Sequence, residues 1–412
     1  MTTGRLFVVP VINTMGPVID PRHDDLLNTW EDVDRACARY FEQSYRGRYP
    51  DSRGRPAVFS WFFISWSGFS SNPVHREFGW FNVYDHYHER FGAAMDKFGD
   101  RLHWMYNHPP ASGVGNEWGL DWLHNSQYFE ILDRYLLERA YFPSVIEVAT
   151  ERNDTSHWIE QWFPFDVGNR NCRDLNLGAT EADGRKSGSV LDWGLAPDDW
   201  SEYHPSAADY RVPGDMRRWI FRLLDIKTRI YRLRAEEIEK AFRRCRAGRD
   251  TFLSAYEHDF RDRSHAVSEL LLEPVSRIAR DYPDVEWRYA DALEAAQEVT
   301  HVQDRVAPDL RVEVNEAGIR IHTSEEIFGA MPYVASKDLT DATYRHHPAA
   351  RVGENTWQIS RDAVPSRCLF AAAASDRGGN VGMTHVTLEG TDVRDAATAA
   401  RQKATLGSHG LG

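Results

Sequence analysis

Strand-like and helix-like segments alternate from the first residues of this chain, and no other feature of the sequence restricts its fold so closely. LFVVPVI, from Leu6 to Ile12, is an unbroken apolar run of the kind found in a strand covered on both faces. DDLLNTWEDVDRACARYFEQSY follows with helical periodicity and an acidic first turn. The pair then recurs. AVFSWFFISW reads as a strand, Tyr84 to Phe98 as a helix, RLHWMYN as a strand, YFEILDRYLLERA as a helix and PSVIEVA as a strand. Such alternation predicts an α/β fold with a parallel sheet and crossover helices. After Thr150 the pattern loosens, up to about Pro213, into a stretch rich in Trp, Asn, Asp and Gly, and loops of that length in a compact domain are usually functional. GDMRRWIFRLLDIKTRIYRLRAEEIEKAFRRC then reads as one long amphipathic helix. TFLSAYEHDF follows as a strand, HAVSELLLEPVSRIARDY as a helix, and VEWRY and DALEAAQEV as a last strand and helix.

From about Pro308 the style changes. LRVEVNEAGIRIHTS alternates with a period of two around a turn, as a hairpin does, and MPYVASK, NTWQIS and CLFAAAAS are further short β-like runs. The expected organisation is a barrel domain over 1–305, a small β domain over 306–390 and a flexible tail over 391–412. The β domain buries one face of its strands, so it either covers the barrel or mediates self-association into a homo-oligomer.

Charge excludes some partners. With 49 Lys and Arg against 62 Asp and Glu, the net charge of -13 repels phosphate backbones and anionic surfaces, so neither nucleic acid nor a membrane is expected. No window approaches the roughly 18 continuous apolar residues of a membrane span. The four cysteines (Cys37, Cys172, Cys245, Cys368) are scattered without metal-finger spacing, which fits a reducing, cytoplasmic setting.

In a parallel α/β barrel the loops that leave the C-terminal strand ends converge on one face, so residues just after each strand are the candidates for chemistry. That rule selects Asn13 after the first strand, Asn107 and His108 after the third with Glu117 beyond them, and Arg152 and Asp154 after the fourth with His157 close behind. The late strand TFLSAYEHDF ends in Glu257, His258 and Asp259. Imidazole beside carboxylate can serve as an acid–base with its orienting partner. His86 and His88 read as surface or cap residues on a helix, and His103 as a hydrogen-bonded core histidine. The 14 tryptophans include several in loops, Trp118 and Trp158 among them, where aromatic faces either stack on sugar-like ligands or plug the barrel top.

These positions, in this order, resemble the polysaccharide deacetylase superfamily. NTMGP is similar to that family's first-strand segment, GDRLHWMYNHP to its histidine segment, TERND to the place of its arginine, and YEHD to the place of its late histidine. The resemblance covers roughly Leu6 to Tyr289. It implies an irregular (β/α)7 deacetylase-like barrel and metal-assisted hydrolysis of an amide-type C–N bond in a small, carbohydrate-like or N-acylated substrate. The chain departs from the family where it has Asn13 and Met15 in place of the acidic base and metal ligand. An amide neither takes a proton as a carboxylate does nor offsets a divalent charge.

Two arrangements follow. A divalent metal such as zinc is held by another set, such as His108, His157 and Glu117, or the chemistry runs without metal through His258. The resemblance makes His258 the general acid and Asp259 or Asp154 the orienting carboxylate, with Glu117 or Glu151 as the replacement base and Asn13, Asn107, Arg152, Trp118 and Trp158 as the substrate-binding residues. The alternatives to hydrolysis are a repurposed, metal-independent barrel enzyme and a non-catalytic carbohydrate-binding barrel.

Overall fold

The computed structural model of the chain describes residues 2–18, 24–65, 79–105, 127–148, 153–172, 193–227, 232–315, 318–390 and 392–395. The described residues form two compact units. One is made of Met1–His124, Val145–His157 and Phe165–Val302, the other of Asn125–Ser144, Trp158–Pro164 and Gln303–Gly412.

The first unit is a closed barrel of seven parallel strands with helices: β1 (Leu6–Thr14), β2 (Ser60–Phe63), β3 (Arg101–Met105), β4 (Val145–Glu147), β5 (Phe165–Asn169), β6 (Trp219–Asp225) and β7 (Thr251–His258). β7 returns to β1 along nearly its whole length, from Leu6 opposite Thr251 to Asn13 opposite His258. The other edge of β1 is shared. β8 (Trp287–Tyr289) takes Leu6 to Val8, and β2 takes Val11 to Thr14. All nine residues of β1 are buried, as its unbroken apolar run requires.

One hydrogen bond fixes which residues face inward. Asn13 on β1 donates to Glu147 on β4 at 3.0 Å, yet these strands are not neighbours in the sheet, so both side chains cross the interior. Strand alternation then directs Phe7, Val9 and Val11 inward, and through the register Phe252, Ser254, Tyr256 and His258 of β7 as well. Trp61 on β2 points the other way. Its Nε1 donates to Asp100 at 2.9 Å, and its ring stacks on Phe41 with centroids 5.1 Å apart. Lower in the interior the rings of Phe221 and Phe252 lie 4.6 Å apart, with Phe165 next to Phe221 at 6.1 Å, so the floor is aromatic.

The long helix expected over 214–245 is two elements. WIFRLLD is β6, and the helix covers only Ala235–Arg246. Its apolar residues satisfy a strand buried on both faces as well as a helix, and burial in the barrel decides between the periods. Among the described residues no helix is long and apolar enough to cross a membrane.

The second unit holds two antiparallel sheets. The first, in the order β13-β14-β10-β9, joins β9 (Leu310–Asn315), β10 (Gly318–Thr323), β13 (Ala350–Gly353) and β14 (Thr356–Ile359). The second, in the order β12-β11-β15-β16-β17, joins β11 (Tyr333–Asp338), β12 (Tyr344–His346), β15 (Arg367–Ser375), β16 (Val381–Glu389) and β17 (Asp392–Asp395). Ile319, Ile321, Val334, Trp357, Phe370 and Leu388 belong to their common core. The helix Gln127–Arg139 packs within this unit. Its Asp133 accepts from Tyr333 Oη at 2.8 Å, and its Glu138 binds Lys337 Nζ at 2.6 Å. A segment that the sequence reads as a crossover helix of the barrel therefore clusters with strands two hundred residues away.

Candidate active site

A buried polar layer occupies the barrel interior at the C-terminal strand ends, the place where barrel enzymes carry their chemistry. Glu147, the last residue of β4, is its centre. The side chain is 1% exposed, and Oε1 accepts from Asn13 and from Arg170. Arg170 follows β5 directly. It reaches inward because β5 loses register between Asp166 and Asn169, and Gly168 within that irregularity lies against the chain of β4. A Cβ on Gly168 would stand 2.4 Å from the Val148 carbonyl oxygen. The guanidinium donates to the carbonyls of Val167 at 3.2 Å and Leu223 at 3.1 Å and lies 4.7 Å from the centre of the Tyr256 ring. Burial raises the Glu147 carboxyl above its ordinary range, and Arg170 and Asn13 pull it back down. Glu147 Oε2 and Asn13 Oδ1 have no hydrogen-bond partner among the described residues.

Beside this network stands a second group. Asp225 closes β6, Glu257 and His258 close β7, and each offers a ligand-type atom within 4.8 Å of the others. All three are buried, with His258 the most exposed at 6%. Glu257 Oε1 accepts from the His258 backbone N–H at 3.2 Å and lies 3.9 Å from its Nδ1. His258 and Asn13 are register partners, which brings the two groups together.

Asp259, expected to orient His258, turns away from it. Its carboxylate accepts from the backbone N–H groups of Met15 at 2.8 Å and Gly16 at 2.7 Å and from Tyr87 Oη at 2.7 Å. Burial raises its carboxyl to about 7 against those three hydrogen bonds. Asp259 thus clamps the turn that follows β1, and the carboxylate near His258 is Glu257. Asp259 lies just past the end of β7, where its backbone N–H donates to the Asn13 carbonyl at 3.1 Å and its side chain is taken up by the Met15–Gly16 turn.

The other expected residues fall as follows. Asn13 lies in the polar layer, with its amide engaged on Glu147. His157 is exposed and its Nε2 lies 2.9 Å from the Ala207 carbonyl oxygen. Trp158 belongs to the second unit, buried with ring contacts to Phe129 and Phe163, so it packs there as part of an aromatic cluster. Asp154 is on the helix Asn153–Ile159. Glu117, Trp118, Asn107, His108, Glu151 and Arg152 lie outside the described residues. His103 is buried and its Nε2 is 2.8 Å from Asp291, as a hydrogen-bonded core histidine requires.

Sequence reasoning missed Glu147, Arg170, Asp225 and Tyr256. Glu147 did leave a trace, being the one acid in the apolar run PSVIEVA. No protein-family model matches the chain, and none of the curated proteins matches it.

Proposed function

We propose that the chain is an α/β-barrel hydrolase that cleaves an amide-type C–N bond in a small sugar-like or N-acylated molecule. One observation carries this reading. Glu147 is a buried carboxylate whose Oε1 is held by Arg170 and Asn13 while Oε2 has no partner among the described residues. A carboxylate so fixed can take a proton from water, and burial has already raised its basicity. In this reading the water oxygen bonds to the acyl carbon as Glu147 accepts its proton. The C–N bond then breaks, and the same proton passes from Glu147 to the leaving nitrogen. Arg170 is a positioning residue, since its guanidinium holds Glu147 while it is anchored on the carbonyls of Val167 and Leu223 and over the Tyr256 ring. Asn13 Oδ1 accepts a hydrogen bond from the substrate. In this reading Glu147 takes over the proton transfer that the sequence assigned to His258, whose ring nitrogen lies within 4.8 Å of carboxylate oxygens of Asp225 and Glu257.

The metal site that the resemblance implies does not fit the first strand, where Asn13 is spent on Glu147 and residue 15 is a methionine. The reading is tested by incubating the full-length protein with a panel of N-acetylated amino sugars and simple N-acyl amines and measuring released acid. The expected result is release by the parent and a loss of roughly a hundredfold or more in a folded Glu147→Gln variant. No release from any panel member, or undiminished release by Glu147→Gln, overturns it.

A further inference from the structure

We propose that Asp225, Glu257 and His258 form a binding site for a first-row divalent cation, at the ends of β6 and β7. The donor set is two carboxylates and one imidazole, which suits zinc, manganese or iron and neutralises most of their charge. Three protein ligands with remaining positions open is the composition of a catalytic site, as opposed to a closed structural one. Ligand atoms around one ion at about 2.0–2.2 Å stand roughly 3–4 Å from one another, and these three already lie within 4.8 Å before any ion draws them in. Two neighbouring parallel strands supply them, so the barrel itself holds the set together.

A second observation points the same way. Asn13 Oδ1 and Glu147 Oε2 are acceptors on side chains 2% and 1% exposed, without partners among the described residues, and they face the same interior. Asn13 is the register partner of His258. Buried acceptors call for a donor, and a hydrated cation at the three-residue set brings donors to that wall. The position differs from the one the resemblance implies, since none of the three residues lies on the first strand or in the histidine segment.

The inference deepens the reading of the same site, and its test is a metal measurement, so either can fail while the other stands. The full-length protein is purified without chelator and without a polyhistidine tag, assayed for bound metal, stripped, and titrated with zinc or manganese by calorimetry. About one equivalent per chain is expected, with a higher melting temperature on loading. Asp225→Asn and His258→Gln should each weaken the affinity by more than the roughly 10–100-fold cost of losing an outer-shell partner. Glu147→Gln should keep the metal while losing turnover. If the ligand variants do not fold, cobalt(II) loaded into the parent reads the ligand set. Weak visible bands without an intense thiolate band are expected, whereas a thiolate band assigns the ion to one of the four buried cysteines and overturns the proposal. Absence of binding at millimolar zinc and manganese, or unchanged affinity in both folded variants, overturns it as well.

Discussion

Asn13 and Glu147 meet at 3.0 Å across the barrel, from strands that do not touch in the sheet. The contact works because an amide can donate to a carboxylate. Asn13→Asp would set two buried carboxylates against each other, where the resembled family has an aspartate. The expected outcome is a loss of about 1–3 kcal/mol at neutral pH, read from denaturant midpoints. A variant as stable as the parent would show that Glu147 is held by Arg170 alone.

Outside the barrel wall, Arg46 and Asp100 form an ion pair with both side chains at 0% exposure. Asp100 also accepts from the Phe59 backbone N–H and from Trp61 Nε1, each at 2.9 Å, and Arg46 lies 4.1 Å from the centre of the Phe98 ring. Removing one partner strands the other charge. Arg46→Ala should cost about 3–5 kcal/mol, and Asp100→Asn at least as much, since its single oxygen can serve Phe59 N–H or Trp61 Nε1–H but not both and the buried guanidinium loses its counter-charge. Thermal unfolding of the two variants side by side checks the order.

The second unit should be sensitive to acid. His346 and His347 are each held down to about 4, chiefly by burial, with further repulsion from His347 on His346 and from Arg345 on His347. An unfolded histidine takes its proton near 6.5, so between 6.5 and 4 the unfolded chain binds protons that the folded unit refuses. Stability is then full above pH 6.5 and falls as the pH drops toward 4, by roughly 3 kcal/mol per histidine. Asp133 has the opposite slope, because burial raises its carboxyl and it is most favourable when protonated. His346→Phe isolates the histidine, since its ring already stacks 4.6 Å from Phe129 and packs on Tyr333 at 4.5 Å. The drop in melting temperature from pH 7 to pH 5 should shrink in this variant, and an unchanged drop would place the acid sensitivity elsewhere.

The barrel was legible because its strands are apolar on both faces. LFVVPVI and TFLSAYEH are β1 and β7. β6 was not, since WIFRLLD runs into RIYRLRAEE and a window across both has helical spacing, so Asp225 vanished into a helix that is not there. The strand ends at Asn13 and His258 could be read from the sequence, but not what these side chains touch. Glu147 and Arg170 are 134 and 157 positions from Asn13, and a pairing of that kind depends on barrel closure. Asp259 shows the converse error, in which neighbours in sequence were taken as neighbours in space. In the second unit β12, β13, β16 and β17 were also missed. The ARVG of β13 is exposed throughout, and the YRH of β12 alternates over three residues only, too short a run to mark a strand in the sequence.

Gly168 gives the most specific test of how the site is held. A Cβ there would meet the Val148 carbonyl oxygen at 2.4 Å and Asp166 Oδ1 at 2.7 Å, and the first of these is backbone that cannot rotate away. The strand irregularity between Asp166 and Asn169 that turns Arg170 inward therefore depends on a close approach of β5 to the end of β4. Gly168→Ala must push the two strands apart, at about 1–3 kcal/mol. The push lands where Arg170 grips Glu147. If Arg170 acts only through that grip, Gly168→Ala and Arg170→Met should lower turnover of an N-acyl substrate by similar factors, and the double variant should lose little more than either alone. Additive losses in the double variant would mean that Arg170 contributes to the site by a route other than its hold on Glu147.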